Sequence, residues 1–289
     1  MTRLTEDDVR DLTARLVAFE DDLVAACSLT LRELAQRTVD LDRALTGQLG
    51  SFAPPIAFAS LPATAVVPLD GARIAAVPVS TGEGVIPGFC ECVAAILCHL
   101  GCDAHVTALP DVRGLQEAAA GGDTVVFIAD DFRFAALNIR DGRCIDDDPA
   151  TADGYATALA AAAGGLAGRP VLLLGLGPVG CAAGRRLTAM GADLLVVEPD
   201  GAAVARAVDE GLAFSRVKLL DGLARCDLVF DATPAADLVG AGDLRPGAVV
   251  AAPGVPPVVD AVARAALGVR HIHEPLAVGV AVMAARALA

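Results

Sequence analysis

Residues 171–198 place an uninterrupted apolar run, Val171-Leu172-Leu173-Leu174, directly before Gly175-Leu176-Gly177-Pro178-Val179-Gly180, then a helical stretch, a second apolar run and an acid. A run apolar at every position suits a strand buried on both faces, as in a parallel sheet covered by helices. The three glycines have separate tasks. Gly175 permits a tight turn, Gly177 lets the backbone approach a pyrophosphate, and Gly180 lets the next helix lie close on the strand. Pro178 suits the first turn of that helix, where an amide N–H has no intrahelical partner. The diphosphate of a dinucleotide then rests on free N–H groups, where the helix dipole favours negative charge. The helix is predicted to end near Met190, before Gly191, and the second strand delivers Glu198, 18 residues past Gly180. A carboxylate there accepts from both ribose hydroxyls and repels a 2′-phosphate, so NAD is expected rather than NADP.

Further strands are predicted at 228–230, 248–251 and 269–272, with helices between them and a last helix at 276–288. The stretch 151–289 therefore reads as a Rossmann-type, doubly wound parallel sheet, with an Ala-rich helix at 151–167 bridging into it. Two of its strand ends, Asp231-Ala232-Thr233-Pro234 and Ala252-Pro253-Gly254-Val255-Pro256, are expected beside the nicotinamide ribose and ring, because such sheets bind ligands outside the carboxyl ends of their strands. Residues 73–150 show the same texture, with strands at 74–79, 105–109 and 124–129 and helices at 89–100 and 112–120. That is β-α-β-α-β, hence a second parallel sheet and a substrate domain. Before it lie a helical segment, 1–45, and a Pro- and Ala-rich linker or insertion with almost no charge, 46–72. Val9, Leu12, Leu16, Phe19 and Leu23 recur at helical spacing after a capping box at Thr5 and Asp8. The fold class expected is two-domain α/β.

Composition narrows the partners. The formal net charge of -14 opposes binding to nucleic acid or to anionic lipid surfaces, and leaves room for a substrate that carries amines. Mean hydropathy is +0.57, yet only 3% of residues are aromatic, so Ala and Val supply the apolar surface. The apolar stretch 154–184 is no membrane span, since Arg169-Pro170 divides it into pieces too short for ~30 Å of hydrocarbon. Glu6, Asp7 and Asp8 do not suit a signal peptide, and a cytoplasmic protein is expected. Eight cysteines in 289 residues are too sparse for a disulfide scaffold. Cys90 and Cys92 point to different faces of a helix and so cannot share a zinc there; packing is expected and no metal.

In the first half the strand-end rule singles out Ser80-Thr81-Gly82-Glu83-Gly84 and Asp130-Asp131. Asp130 stands where an apolar strand delivers it to the sheet edge, suited to charge recognition or proton transfer. The histidines are poor general-base candidates. Glu274 follows the last strand on the cleft side and is placed to grip an ammonium group.

The combination of Val77-Pro78-Val79 with Gly84 and Phe89, Leu109-Pro110-Asp111-Val112, Ala129-Asp130-Asp131-x-x-Phe134, Gly175-Leu176-Gly177-x-Val179-Gly180, Ala232-Thr233-Pro234, Pro253-Gly254-Val255-Pro256 and Glu274-Pro275-Leu276 resembles the pyrrolysine biosynthesis dehydrogenases. That resemblance implies oxidation by NAD of the carbon bearing the terminal amine of a 3-methyl-D-ornithyl-lysine isopeptide, then loss of ammonia and closure of a pyrroline ring. It assigns the proton-handling role to Asp130, the substrate wall to Ser80, Thr81 and Phe89, a holding role to Glu274 and a covering role to Leu4. A homodimer is common for such enzymes and is expected. The chain departs from the family at Glu198, where several members carry aspartate, at the following Pro199, and in the insertion 47–71. Two other readings stay open: a shikimate-type dehydrogenase, disfavoured because the only lysine is Lys218 in the nucleotide half, and a non-enzymatic NAD sensor.

Overall fold

A computed structural model describes residues 6–47, 65–82, 84 and 87–289. Leu4 and Thr5, and with them the expected capping box, lie outside the described residues, as does most of the expected linker.

The chain opens with helices α1 (Glu6–Cys27) and α2 (Leu31–Gly47). A reciprocal capping box starts α2: Glu33 Oε2 accepts from Thr30 N at 2.8 Å, and Thr30 Oγ1 accepts from Glu33 N at 3.1 Å. Leu16 and Leu23 on α1 are buried, as their helical spacing predicts. The end of the expected linker is packed rather than loose. Val67 and Leu69 are both 2% exposed, and Gln36 Oε1 accepts from Val67 N.

Next come β1 (Arg73–Val77), α3 (Phe89–His99), β2 (Asp103–Val106), α4 (Asp111–Gly121), β3 (Val125–Ala129), β4 (Phe134–Asn138) and β5 (Cys144–Asp146). They build a five-stranded sheet in the order β2-β1-β3-β4-β5. The first three strands are parallel, as expected. The expectation of a wholly parallel sheet needs correction, because β4 and β5 add as antiparallel edge strands, with Ala129 opposite Phe134 and Ala135 opposite Asp146. Asp141-Gly142, with Gly142 at φ +79°, is the hairpin signature that joins them.

Helix α5 (Asp147–Ala163) leads into β6 (Pro170–Leu174), α6 (Pro178–Ala189), β7 (Asp193–Val197), α7 (Gly201–Asp209), β8 (Ser215–Arg216), α8 (Leu219–Leu223), β9 (Leu228–Asp231), β10 (Val249–Ala251), α9 (Ala261–Leu267), β11 (His271–Ile272) and α10 (Ala277–Leu288). The second sheet is wholly parallel, ordered β11-β10-β9-β6-β7-β8. Strand order reverses at β6, and the crevice outside that point is where such sheets take their ligands.

Helices α5 and α10 are buried almost all round, and α5 packs on α2, α6 and α10. Such contacts demand small residues. A Cβ at Gly154 of α5 would stand 2.6 Å from Val278 Cγ1 of α10. This explains the Ala-rich, aromatic-poor composition: one apolar cluster runs from α1 and α2 through α5 and α10 to both sheets. No helix of the described residues is long and apolar enough to cross a membrane.

Candidate active site

The loop after β6 has the geometry its glycines foretold. Gly175 sits at φ +88°, and a Cβ there would meet the Ala232 carbonyl oxygen at 2.8 Å. At Gly180 a Cβ would stand 2.2 Å from the Gly175 carbonyl oxygen, so only glycine lets α6 lie this close. Gly177 differs, because nothing lies within 4 Å of where its Cβ would be. Its backbone borders open space, as a loop that receives a ligand requires.

That space is a cleft of about 1300 Å³ along the end of the parallel sheet. Gly175, Gly177, Glu198, Ala232, Thr233 and Pro234 line it; Leu238, Val258 and the basic residues Arg216, Lys218 and Arg225, which were not foreseen, line it too. Pro253 and Gly254 are not in its lining. Gly254 instead closes on the neighbouring loop, where a Cβ would lie 2.4 Å from the Thr233 carbonyl oxygen. Glu198 spans two loops: Oε2 accepts from Leu176 N and Oε1 from Asp200 N, each at 2.8 Å.

Asp231 ties the two strand-end loops together and was missed as more than part of a turn. Its carboxylate is fully buried, accepts from Thr233 N at 3.0 Å and Thr233 Oγ1 at 2.7 Å, and takes a third bond from Val258 N at 2.9 Å. Burial raises its pKa against the lowering effect of these donors. The only sequence signal was an acid closing an apolar strand.

In the first sheet, Thr81, Phe89 and Asp130 line a separate hollow of about 220 Å³ with Val79, Gly84 and Asp131. Phe89 stands edge-on to Phe134, with ring centroids 5.1 Å apart. Asp130 Oδ1 accepts from Phe132 N and Arg133 N, both at 2.8 Å. These two backbone donors hold its carboxyl below the usual carboxylate range. A carboxylate held low pairs well with a cation and takes up a proton poorly at neutral pH. Ser80 is turned elsewhere: its N–H and hydroxyl both donate to Asp111, at 2.8 and 2.5 Å.

Arg133 pairs with Asp146, and Asp146 lines a further hollow together with Leu176, Gly177 and Pro178 of the glycine loop. Beside it Asp147, first residue of α5, accepts from Thr151 Oγ1 at 2.9 Å, and burial pushes its carboxyl up to about 6. Glu274 caps α10, its Oε2 accepting from Leu276 N at 2.8 Å and from Ala277 N, while Tyr155 Oη holds its backbone on both sides. Of the α3 cysteines, Cys90 packs as expected and burial pushes it up to about 11, Cys92 is half-buried, and Cys98 is exposed rather than packed. His99 pairs with Glu20 across α1 and α3 at 2.8 Å. Burial, with neighbouring His273 and Arg264, drives His271 down to about 4.

Residues 34–145 match the family described as Pyrrolysine biosynthesis protein PylD, N-terminal domain. The chain is 32% identical over 211 residues to a pyrrolysine synthase of Methanosarcina acetivorans, covering 73% of this chain and 80% of that protein. The chain belongs to the PylD family. A second member, the pyrrolysine synthase of Methanosarcina barkeri, is 30% identical over 218 residues, 73% of this chain and 79% of the relative. Membership places the protein in pyrrolysine biosynthesis. In structure the chain is similar to quinate dehydrogenase from Corynebacterium glutamicum, with a TM-score of 0.51 at 14% identity over 76% of this chain and 94% of that one. That likeness shows the two-sheet, Rossmann-type fold alone.

Proposed function

We propose that the protein is an NAD-dependent oxidoreductase that oxidises the carbon bearing the terminal amine of a 3-methyl-D-ornithyl-lysine isopeptide, after which ammonia leaves and the pyrroline ring closes. The observation that carries this reading is the link from the Asp130 turn through Arg133 and Asp146 to the hollow bordered by Gly177. It supports a reading in which the hollow beside Asp130 takes the amine and the glycine loop takes the dinucleotide.

The residues present fit the cofactor. Gly177 leaves open space at the N-terminus of α6 for a diphosphate, and Glu198 stands at the end of β7 for the ribose. When bound, NAD supplies the hydride acceptor. Asp130, kept ionised by its turn, binds the terminal ammonium, and Phe89 walls the substrate's aliphatic chain. Glu274, oriented by its own cap, offers a second anionic group. The amine must shed a proton before hydride can leave its carbon, and water beside Asp130 carries that proton away. The imine so formed is attacked by the substrate's own α-amine, and ammonia departs.

The test is turnover: the protein, NAD and the isopeptide or its desmethyl analogue should yield NADH and a cyclic product identified by mass. Absence of both, with cofactor demonstrably bound, sinks the proposal. Asp130→Asn should lower turnover far more than NADH affinity; equal loss of both would make Asp130 structural.

A further inference from the structure

Three cations, Arg216, Lys218 and Arg225, line the same cleft as Glu198. Taken as free charges, they would welcome a 2′-phosphate and offset the discrimination expected of Glu198. The hydrogen bonds say otherwise for Arg216. Strand β8 sets its backbone opposite Val196, two residues before Glu198. From there Arg216 Nη2 donates to the carbonyl oxygen of Glu198 at 2.8 Å and to that of Pro199 at 3.4 Å. The Glu198 carboxylate meanwhile bridges Leu176 N of the glycine loop and Asp200 N of the next loop. Backbone and side chain of Glu198 are thus held from three directions: Arg216 outside, the glycine loop on one side and the cap of α7 on the other.

We infer that Arg216 is a positioning residue that orders Glu198 and so sets the preference for NAD over NADP, rather than a receptor for phosphate. The inference rests on the cofactor reading above. Pro199 gives the arrangement its purpose. Proline has no N–H to pair with a neighbour, so the strand end is tied instead through its carbonyl oxygens, to the guanidinium of the edge strand. An ordered acid costs less to bring to the ribose, whereas a mobile one turns aside when a phosphate arrives.

The test is direct titration of the full chain with NADH and NADPH, followed by nicotinamide fluorescence, with no amine substrate present. Arg216→Met should weaken NADH about fivefold, the worth of one modest hydrogen-bonded contact, and weaken NADPH less, so the ratio narrows. Arg216→Gln, which keeps an amide donor, should fall between. In a Glu198→Ala background Arg216→Met should change neither affinity further. Greater loss of NADPH than of NADH, an effect that persists without Glu198, or no effect at all would each overturn the inference. Wild-type protein that binds neither nucleotide would instead overturn the cofactor reading, and NADH binding without turnover of the isopeptide would overturn only the substrate reading.

Discussion

Arg186 of α6 and Asp153 of α5 meet at 2.6 Å with side chains 6% and 12% exposed. Asp42 of α2 and Arg286 of α10 complete the group: Arg286 donates to Asp153 at 2.5 Å and to Asp42 at 2.8 Å, and Arg186 also pairs with Asp42. Two positive and two negative charges therefore balance where four helices converge, one of them carrying the glycine loop. Removing Arg186 leaves Arg286 alone against two largely buried carboxylates, so Arg186→Met should cost about 3–5 kcal/mol of unfolding free energy. Urea unfolding checks this, and a loss under about 1 kcal/mol would show the group to be solvated.

The pH dependence of stability should carry the mark of Asp147. Burial, opposed by the Thr151 hydroxyl and reinforced by Asp148 and Asp146, lifts its carboxyl from the ordinary 3.8 to about 6. A folded-state value above the unfolded one means the native state holds the proton more tightly. The stabilisation is complete below the unfolded value and is lost as pH rises through about 6. At pH 8 the ionised group then costs up to about 3 kcal/mol. Asp147→Asn should gain stability relative to wild type at pH 8 and flatten the profile between pH 4 and 7. Thermal melts across that range decide it, and an equal loss at every pH would refute the assignment.

Two glycines of one loop should fail differently. Gly180→Ala drives a methyl into the Gly175 carbonyl and should lower both the melting temperature and NADH affinity. Gly177→Ala meets no protein atom within 4 Å, so the fold should keep its melting temperature while NADH binding is lost. Calorimetry with and without nucleotide separates them, and a Gly177→Ala protein that binds normally would remove the loop from the cofactor site.

Asp231→Ala leaves the N–H groups of Thr233 and Val258 without their acceptor in a buried setting. The expected cost is about 2–4 kcal/mol, with weaker NADH binding because both loops border the cleft. Unchanged affinity in a folded variant would show that the loops hold their places without it.

Much of the second sheet was legible in the residues. An apolar strand, glycines at fixed spacing and an acid after the next strand are contiguous, and each constrains its neighbours within one βαβ unit. The antiparallel strands β4 and β5 were passed over, although Asp141-Gly142 announced their hairpin, because the β-α-β rhythm before them suggested that Asp130-Asp131 began a loop. The roles of Ser80 and Glu274 were legible only as positions. Ser80 is turned onto Asp111, and Glu274 caps a helix, through partners that no local pattern names.

The amino-acid order alone determined most element types, the parallel sheet of the second half and the tight glycine loop after its first strand, because these follow from backbone sterics and from burial periodicity over a few residues. Tertiary structure alone decided which charges are spent on the protein itself. Arg216 reaches Glu198 from 18 residues away, and Asp153 meets Arg286 across 133. Asp130 is held low while Asp147 is raised. Charge and proton affinity depend on burial and on donors brought from elsewhere in the fold, so residues of one type, aspartates 17 positions apart, acquire opposite chemistry.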